Sequence, residues 1–246
     1  MKKLNLRTIF AALLATALMT GSLSLPQAAT HAAPAPSAPL ALDALASADL
    51  YGYEYADESG SYLWEDANGG AKIEFSNTIS AMGPYNFGFG FKFYESIFYS
   101  FYVNTSGLIT FAEKDTSYAN RLIPLTPKPN AIVAPLWGML NFPARYGFVY
   151  YQTQGSGADQ HAIIEWEIFT DQSMTTMKTN FEVLLYPATG KIVFQYKRLT
   201  TLPFTYSVGI EDADGVNGLQ YFGIPAENGR IAFLRPSQRS RVQAGS

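Results

Sequence analysis

Between Tyr51 and Leu234 the sequence runs as short apolar or alternating segments, each closed by turn residues. They are AKIEF (71–75), FGFKFY (89–94), SFYVN (100–104), GLITFAE (107–113), AIVAPLW (131–137), GFVYYQ (147–152), HAIIEWEIF (161–169), NFEVLLY (180–186), KIVFQYK (191–197), YSVGIED (206–212), GLQYF (218–222) and RIAFL (230–234). Runs of this length bounded by Gly, Pro, Asn and Asp are strand signals. No window of useful length spaces apolar residues helically without a Gly, Pro or β-branched cluster inside it. Strands joined by short turns, with no helical crossovers, pair antiparallel. The expected fold is therefore an all-β antiparallel sandwich, jelly-roll-like, of about 10–12 strands.

Turn chemistry fixes particular pairings. PATG (187–190) joins FEVLLY to KIVFQY as a hairpin, and NTSG (104–107) and DADGVNG (212–218) are expected to close two more. The stretch YNFGFGFKFY (85–94) places Phe87, Phe89, Phe91 and Phe93 on one strand face and Gly88, Gly90 and Lys92 on the other. Four rings without a polar edge are expected to face the core, each contributing on the order of 1.5–3 kcal/mol. The small residues opposite let a neighbouring segment approach, or the strand bend.

The chain has no cysteine, which excludes disulfides, thiol catalysis and cysteine metal sites, so the core alone must hold the fold. Residues 1–32 read as a signal peptide: Lys2, Lys3 and Arg7 precede an apolar run, Ile9 to Leu18, too short to span a bilayer, and small residues follow up to Ala32. Residues 33–49 read as an Ala/Pro-rich linker, 50–236 as the sandwich domain and 237–246 as a disordered polar tail. No later apolar run is long enough for a transmembrane helix. The expected location is therefore secreted or extracellular, with the periplasm as the other exported compartment. Formal charge is −3 from 17 basic and 20 acidic residues; without Lys2, Lys3 and Arg7 it becomes 14 against 20, or −6. That balance argues against nucleic acid or anionic lipid as partner.

Several phrases occur in a familiar order. GFGFKFYESIFYSFYVNTSGLITF is followed by NAIVAPLW, VYYQ, IIEWE, FEVLLYPATGKIVFQYK and YSVGIEDADGVNGLQY. From Gly83 to Phe233 the chain resembles the nidogen-like β-sandwich module of bacterial secreted and cell-surface proteins, which often accompanies subtilisin-type peptidases. The resemblance implies a non-catalytic extracellular module whose partner is a protein or cell-envelope component. It carries over no catalytic residue. After APLW, where such modules often place acidic residues, this chain has Gly138, Met139, Leu140 and Asn141.

Three groups of residues invite more specific chemistry. Glu165 and Glu167 share one strand face with Cα atoms about 6.5–7 Å apart, an arrangement open to a jelly-roll glycosidase. The competing expectation is a solvent-facing side, with Ile164, Trp166 and Ile168 in the core. Tyr51, Tyr53 and Tyr55 also share a face, with Tyr62 and Trp64 close behind, and an exposed row of this kind would stack on a glycan. Core or half-buried packing explains the same residues. Glu211, Asp212, Asp214 and Asn217 invite a calcium reading; against it stand the ordinary turn chemistry of Asp and Gly and Val216 at a position needing an oxygen. His161, the one histidine left once His31 is removed with the signal, is expected at an exposed strand end. With no G-x-S-x-G elbow it builds no serine triad. No cofactor is expected.

Overall fold

The computed structural model describes residues 48–140, 142–143, 147–169, 173–200 and 205–236. Residues 1–32, expected to be a signal peptide, residues 33–47 of the expected linker, Asn141 and the expected tail 237–246 lie outside the described residues. Thirteen strands form two sheets in which every pairing is antiparallel, and no α-helix occurs among the described residues. Sheet A runs in the order β1 (Glu54–Asp57), β13 (Gly229–Leu234), β10 (Lys191–Leu199), β9 (Met177–Tyr186), β8 (His161–Phe169), β7 (Gly147–Gln154), β2 (Ala71–Glu74). Sheet B runs β12 (Gly218–Gln220), β11 (Tyr206–Glu211), β6 (Ile132–Gly138), β5 (Ile109–Thr110), β4 (Ser96–Asn104), β3 (Ala81–Phe93). The three hairpins expected from turn chemistry all form: β4–β5, β9–β10 and β11–β12.

Alternate side chains from the two inner faces make one core, as the pleat requires. Trp166 stacks on Phe181 with ring centroids 5.0 Å apart. Two polar handles cross this core. The Trp166 indole donates to Asn104 O at 3.0 Å, and the Tyr196 hydroxyl donates to Pro135 O at 2.7 Å. Each ties a strand of sheet A to sheet B, while the ring carrying the donor stays buried.

The phenylalanine row lies inside, with one refinement. β3 is longer than its apolar segment, and its pairing with β4 shifts register between Asn86 and Phe91. Gly88 takes φ +81° in that bulge, a conformation open to glycine. Phe87, Phe91 and Phe93 are buried, whereas Phe89 is half-buried and stacks on Phe87 at 5.5 Å.

Candidate functional site

Sheet A carries a polar row on its outer face. Register places Tyr150 opposite Glu165, Glu165 opposite Glu182, Glu182 opposite Gln195 and Gln195 opposite Arg230. Directly opposed side chains stand about 4.5–5.5 Å apart at Cβ, so the five form one line across the strands. Ile163, Leu184, Val193 and Ala232 sit on the same face and are fully or almost fully enclosed.

A strap, residues 61–70, crosses this face and closes it. The amides of Leu63, Glu65 and Ala67, two apart along the strap, donate to Gln195 Oε1 (3.0 Å), Glu182 Oε1 (3.2 Å) and Glu165 Oε2 (2.9 Å). Gln195 Nε2 also donates to Leu63 O at 2.6 Å, so its side-chain amide pairs with one peptide as a neighbouring strand would. Ala67 joins the apolar cluster of Ile163, Leu184, Val193 and Ala232. Before the strap, Glu58 accepts from Lys191 Nζ (2.9 Å) and Arg230 Nε (3.1 Å). At its far end Gln152 Nε2 donates to Asp66 O at 2.6 Å. A Cβ on Gly70 would lie 2.2 Å from Tyr151 O, so only glycine fits there.

The strap overturns the solvent-facing expectation for Glu165 and Glu167: they are 0% and 7% exposed. Burial raises both acids from the usual carboxylate value near 4.5, Glu165 to about 7. Glu182, also 0% exposed, is pushed up to about 9, first by burial and then by the Glu165 charge, against the hydrogen bonds from Glu65 and Gln195. Like charges in one sealed place cannot both ionise cheaply. Asn180 Nδ2 donates to Glu165 Oε1 at 2.7 Å, so both Glu165 oxygens are engaged in internal bonds. His161 is likewise not exposed. Its Nε2 lies 2.8 Å from Glu65 Oε2, its Nδ1 lies 2.8 Å from Asp159 O, and its ring stacks on Tyr186. The strap brings Glu65 over the strand end and buries the imidazole there.

The tyrosines do not form an exposed plane. Tyr53 is fully buried and Tyr51 and Tyr55 are half-buried. Tyr51 stacks on Tyr53 at 5.7 Å, and Tyr55 meets Tyr221 edge-on at 5.4 Å. Trp64, in the strap, is half-buried with the Lys197 ammonium 4.9 Å from its ring centroid. Asp49, placed by composition in the linker, belongs to the domain: its Oδ1 accepts from the Gly52 and Tyr53 amides and its Oδ2 from the Tyr94 hydroxyl.

In the β11–β12 turn, the Asp212 carboxylate accepts from the amides of Asp214 (3.2 Å), Val216 (3.0 Å) and Asn217 (3.1 Å) and from Asn217 Nδ2 (2.7 Å). This is a side chain closing its own loop. No group of three or more His, Asp or Glu arranged to hold a metal occurs among the described residues. Glu211 points the other way, to the outer face of sheet B. Its Oε1 lies 2.9 Å from Arg121 Nη2, and its Oε2 accepts from the Leu125 amide at 2.7 Å. Gln220 Oε1 accepts from the Ile123 amide at 2.8 Å. Both outer faces are thus crossed by a connecting segment whose amides bond to buried or half-buried side chains of the sheet.

An apolar surface stays open on sheet B. Among the described residues β12 pairs only with β11, leaving its other edge free. Beside it Leu122, Leu125, Val216, Phe222 and Ile224 are exposed, Phe222 at 67% and Ile224 at 74%. The close approach of Gly215 to Leu125 O and of Gly218 to Pro124 brings the 122–125 segment against this turn.

Against known proteins, a family model described as NIDO related matches residues 52–231. No curated protein and no solved structure gives a match.

Proposed function

The chain belongs to the NIDO-related family, a nidogen-like module of extracellular type, and on that premise we propose that it is an exported, non-catalytic β-sandwich that binds an extracellular protein or a cell-envelope component. The observation that carries this reading is the apolar group around the free β12 edge, with Phe222 and Ile224 two-thirds or more exposed. Large apolar side chains gathered on a soluble surface mark interaction sites, and a free strand edge adds unpaired backbone groups to them. The non-catalytic part is supported by the carboxylates. Glu165 and Glu182 lie under the strap and accept its amides, so both carboxyls are closed off from solvent. Glycan stacking by Tyr51, Tyr53 and Tyr55 is disfavoured by the enclosure of Tyr53.

The test is binding of the mature chain to immobilised secreted-protein and cell-envelope fractions, compared with a Phe222→Ser/Ile224→Ser variant. The expected result is saturable binding by the parent and at least roughly tenfold weaker binding by the variant, a loss of about 1.4 kcal/mol, at unchanged melting temperature. Equal binding by both proteins, or release of reducing sugar from a glucan panel by the parent, would contradict it.

A further inference from the structure

The strap is held by a row of side chains whose charge state is not fixed. Glu165 and Glu182 are opposed on adjacent strands and both are 0% exposed. Their hydrogen-bonding partners among the described residues are all neutral: the Ala67 amide and Asn180 for Glu165, the Glu65 amide and Gln195 for Glu182. Glu182 Oε2 is buried without a partner, and so is Asn180 Oδ1, two residues along the same face. An ionised Glu182 would leave a charge-bearing oxygen unsolvated beside a second orphaned acceptor, a costly arrangement. A proton on Glu182 removes that charge and turns one of the two acceptors into a donor.

From these contacts we infer that residues 61–70 form a pH-governed cover over the outer face of sheet A, closed while the Glu165–Glu182 pair retains a proton and released when both carboxylates are ionised. The groups facing the pair from each packed element are consistent with this. The strap contributes Tyr62, Glu65 and Asp66; β7 contributes Tyr150; β8 contributes Glu167, and His161 bonded to Glu65; β9 contributes Tyr186. The cations stand further out. Lys72 and Lys197 act on Glu167, while Arg230 reaches Gln195 Oε1 and Glu58. None of these cations hydrogen-bonds to Glu165 or Glu182 in the structure, so deprotonation leaves the pair without a bonded counter-charge. Burial raises both carboxyls, with Glu167 and Asp66 adding to it at Glu165 and with Glu165 and Glu65 adding to it at Glu182, which reaches about 9 and puts the change in the alkaline range.

Relief comes most cheaply at the strap. The sheet beneath is held by continuous ladders on both sides of β8, β9 and β10. Over the row itself the strap is held by three amide bonds, the Leu63 carbonyl bond and the Ala67 contact. Lifting it admits water to the carboxylates and leaves the ladders intact. Gly60 precedes the segment, Gly69 and Gly70 end it, and they supply hinge freedom.

The test is amide hydrogen exchange of the full chain at pH 6 and pH 9.5, corrected for the intrinsic pH dependence of exchange, on the parent and on Glu182→Gln. The expected result is that protection of Leu63, Glu65 and Ala67 falls at least roughly tenfold, the change that one unit of pKa separation supplies. Protection of β8, β9 and β10 amides should hold, and in Glu182→Gln the strap should stay protected at pH 9.5. Should Glu182→Gln fold poorly, Glu165→Gln removes one charge of the same pair and is expected to behave likewise. Strap protection unchanged between the two pH values, an equal fall in a folded Gln variant, or loss of strap and sheet protection together would overturn the inference.

Discussion

Glu165 and Glu182 face each other across β8 and β9, fully enclosed, and each accepts a backbone amide from the same crossing segment. Two acids on a sheet face are ordinarily a solvent-facing feature or the start of a catalytic pair. Here they are mounting points: alternate peptides of an extended strap dock on a row of sheet side chains. Sheet B repeats the device with Glu211 and Gln220, which accept the Leu125 and Ile123 amides. The sandwich is therefore covered on both outer sides by its own connections.

Raised carboxyls make global stability depend on pH with a definite sign. Glu165, Glu182 and Glu211 all bind protons more tightly in the folded state, Glu165 and Glu211 titrating at about 7 and Glu182 at about 9. Their stabilisation is fully present below the unfolded value near 4.5 and is lost as pH rises through these folded values. Glu58 acts oppositely: burial raises it, but Lys191 and Arg230 together outweigh burial and hold it low, so its contribution fades as pH falls. Urea unfolding is expected to show highest stability at mildly acidic pH and a continuous decline from about pH 6 to pH 9. A maximum at pH 8 or above would refute this.

Arg121 is the partner that makes buried Glu211 tolerable. Arg121→Ala removes the ion pair and the donations to Pro129 O at 2.6 Å and Asn130 Oδ1 at 3.2 Å. Breaking a buried pair from one side costs about 3–5 kcal/mol, and that full loss is expected at pH 8.5, where Glu211 is ionised. At pH 5.5 the abandoned carboxyl can take a proton, so the loss should shrink. Equal losses at both values would mean that Glu211 does not change charge state in that interval.

The phenylalanine row grades its own effects. Phe91 is fully enclosed and lies 6.0 Å from Phe111, whereas Phe89 is displaced by the bulge and half-buried. Phe91→Ala should cost about 3–5 kcal/mol, and Phe89→Ala clearly less, in the same denaturation assay. Reversal of that order would place the bulge elsewhere.

Much of this architecture was legible in the sequence. The segment HAIIEWEIF is β8 to the residue, and the turn PATG gives the β9–β10 hairpin. The covered outer faces were legible in principle too. Ile163 beside Ile164, Leu184 beside Leu185 and Val193 beside Phe194 make the central strands apolar on both faces, which is the pattern of a sheet covered on both sides. Aligning the PATG hairpin also opposes Glu182 and Gln195, the middle of the polar row. What covers that row was not legible. YLWEDAN (62–68) has neither strand alternation nor an apolar stripe, because its hold comes from backbone amides, which every sequence carries. The burial of His161 was hidden for the same reason, since Glu65 reaches it only once the strap is in place.

Asp212 predicts a negative response to calcium. Its oxygens are occupied by four donors of its own loop. Melting temperature should be the same in millimolar calcium and in chelator, while Asp212→Ala should cost about 1–3 kcal/mol through the unmade bonds. A marked rise of melting temperature with calcium would show that the loop rearranges into a metal site.

The sealed carboxylate pair is tested most directly by a carbon-13 NMR titration of the glutamate side-chain carboxyls from pH 3 to pH 10. Two glutamates, assigned as Glu165 and Glu182, are expected to show midpoints well above 4.5, and the later one, near 9, should fall when Glu165 is changed to Gln. Both titrating near 4.5 with no mutual effect would contradict it, because carboxyls that titrate normally and independently are neither enclosed nor paired beneath the strap.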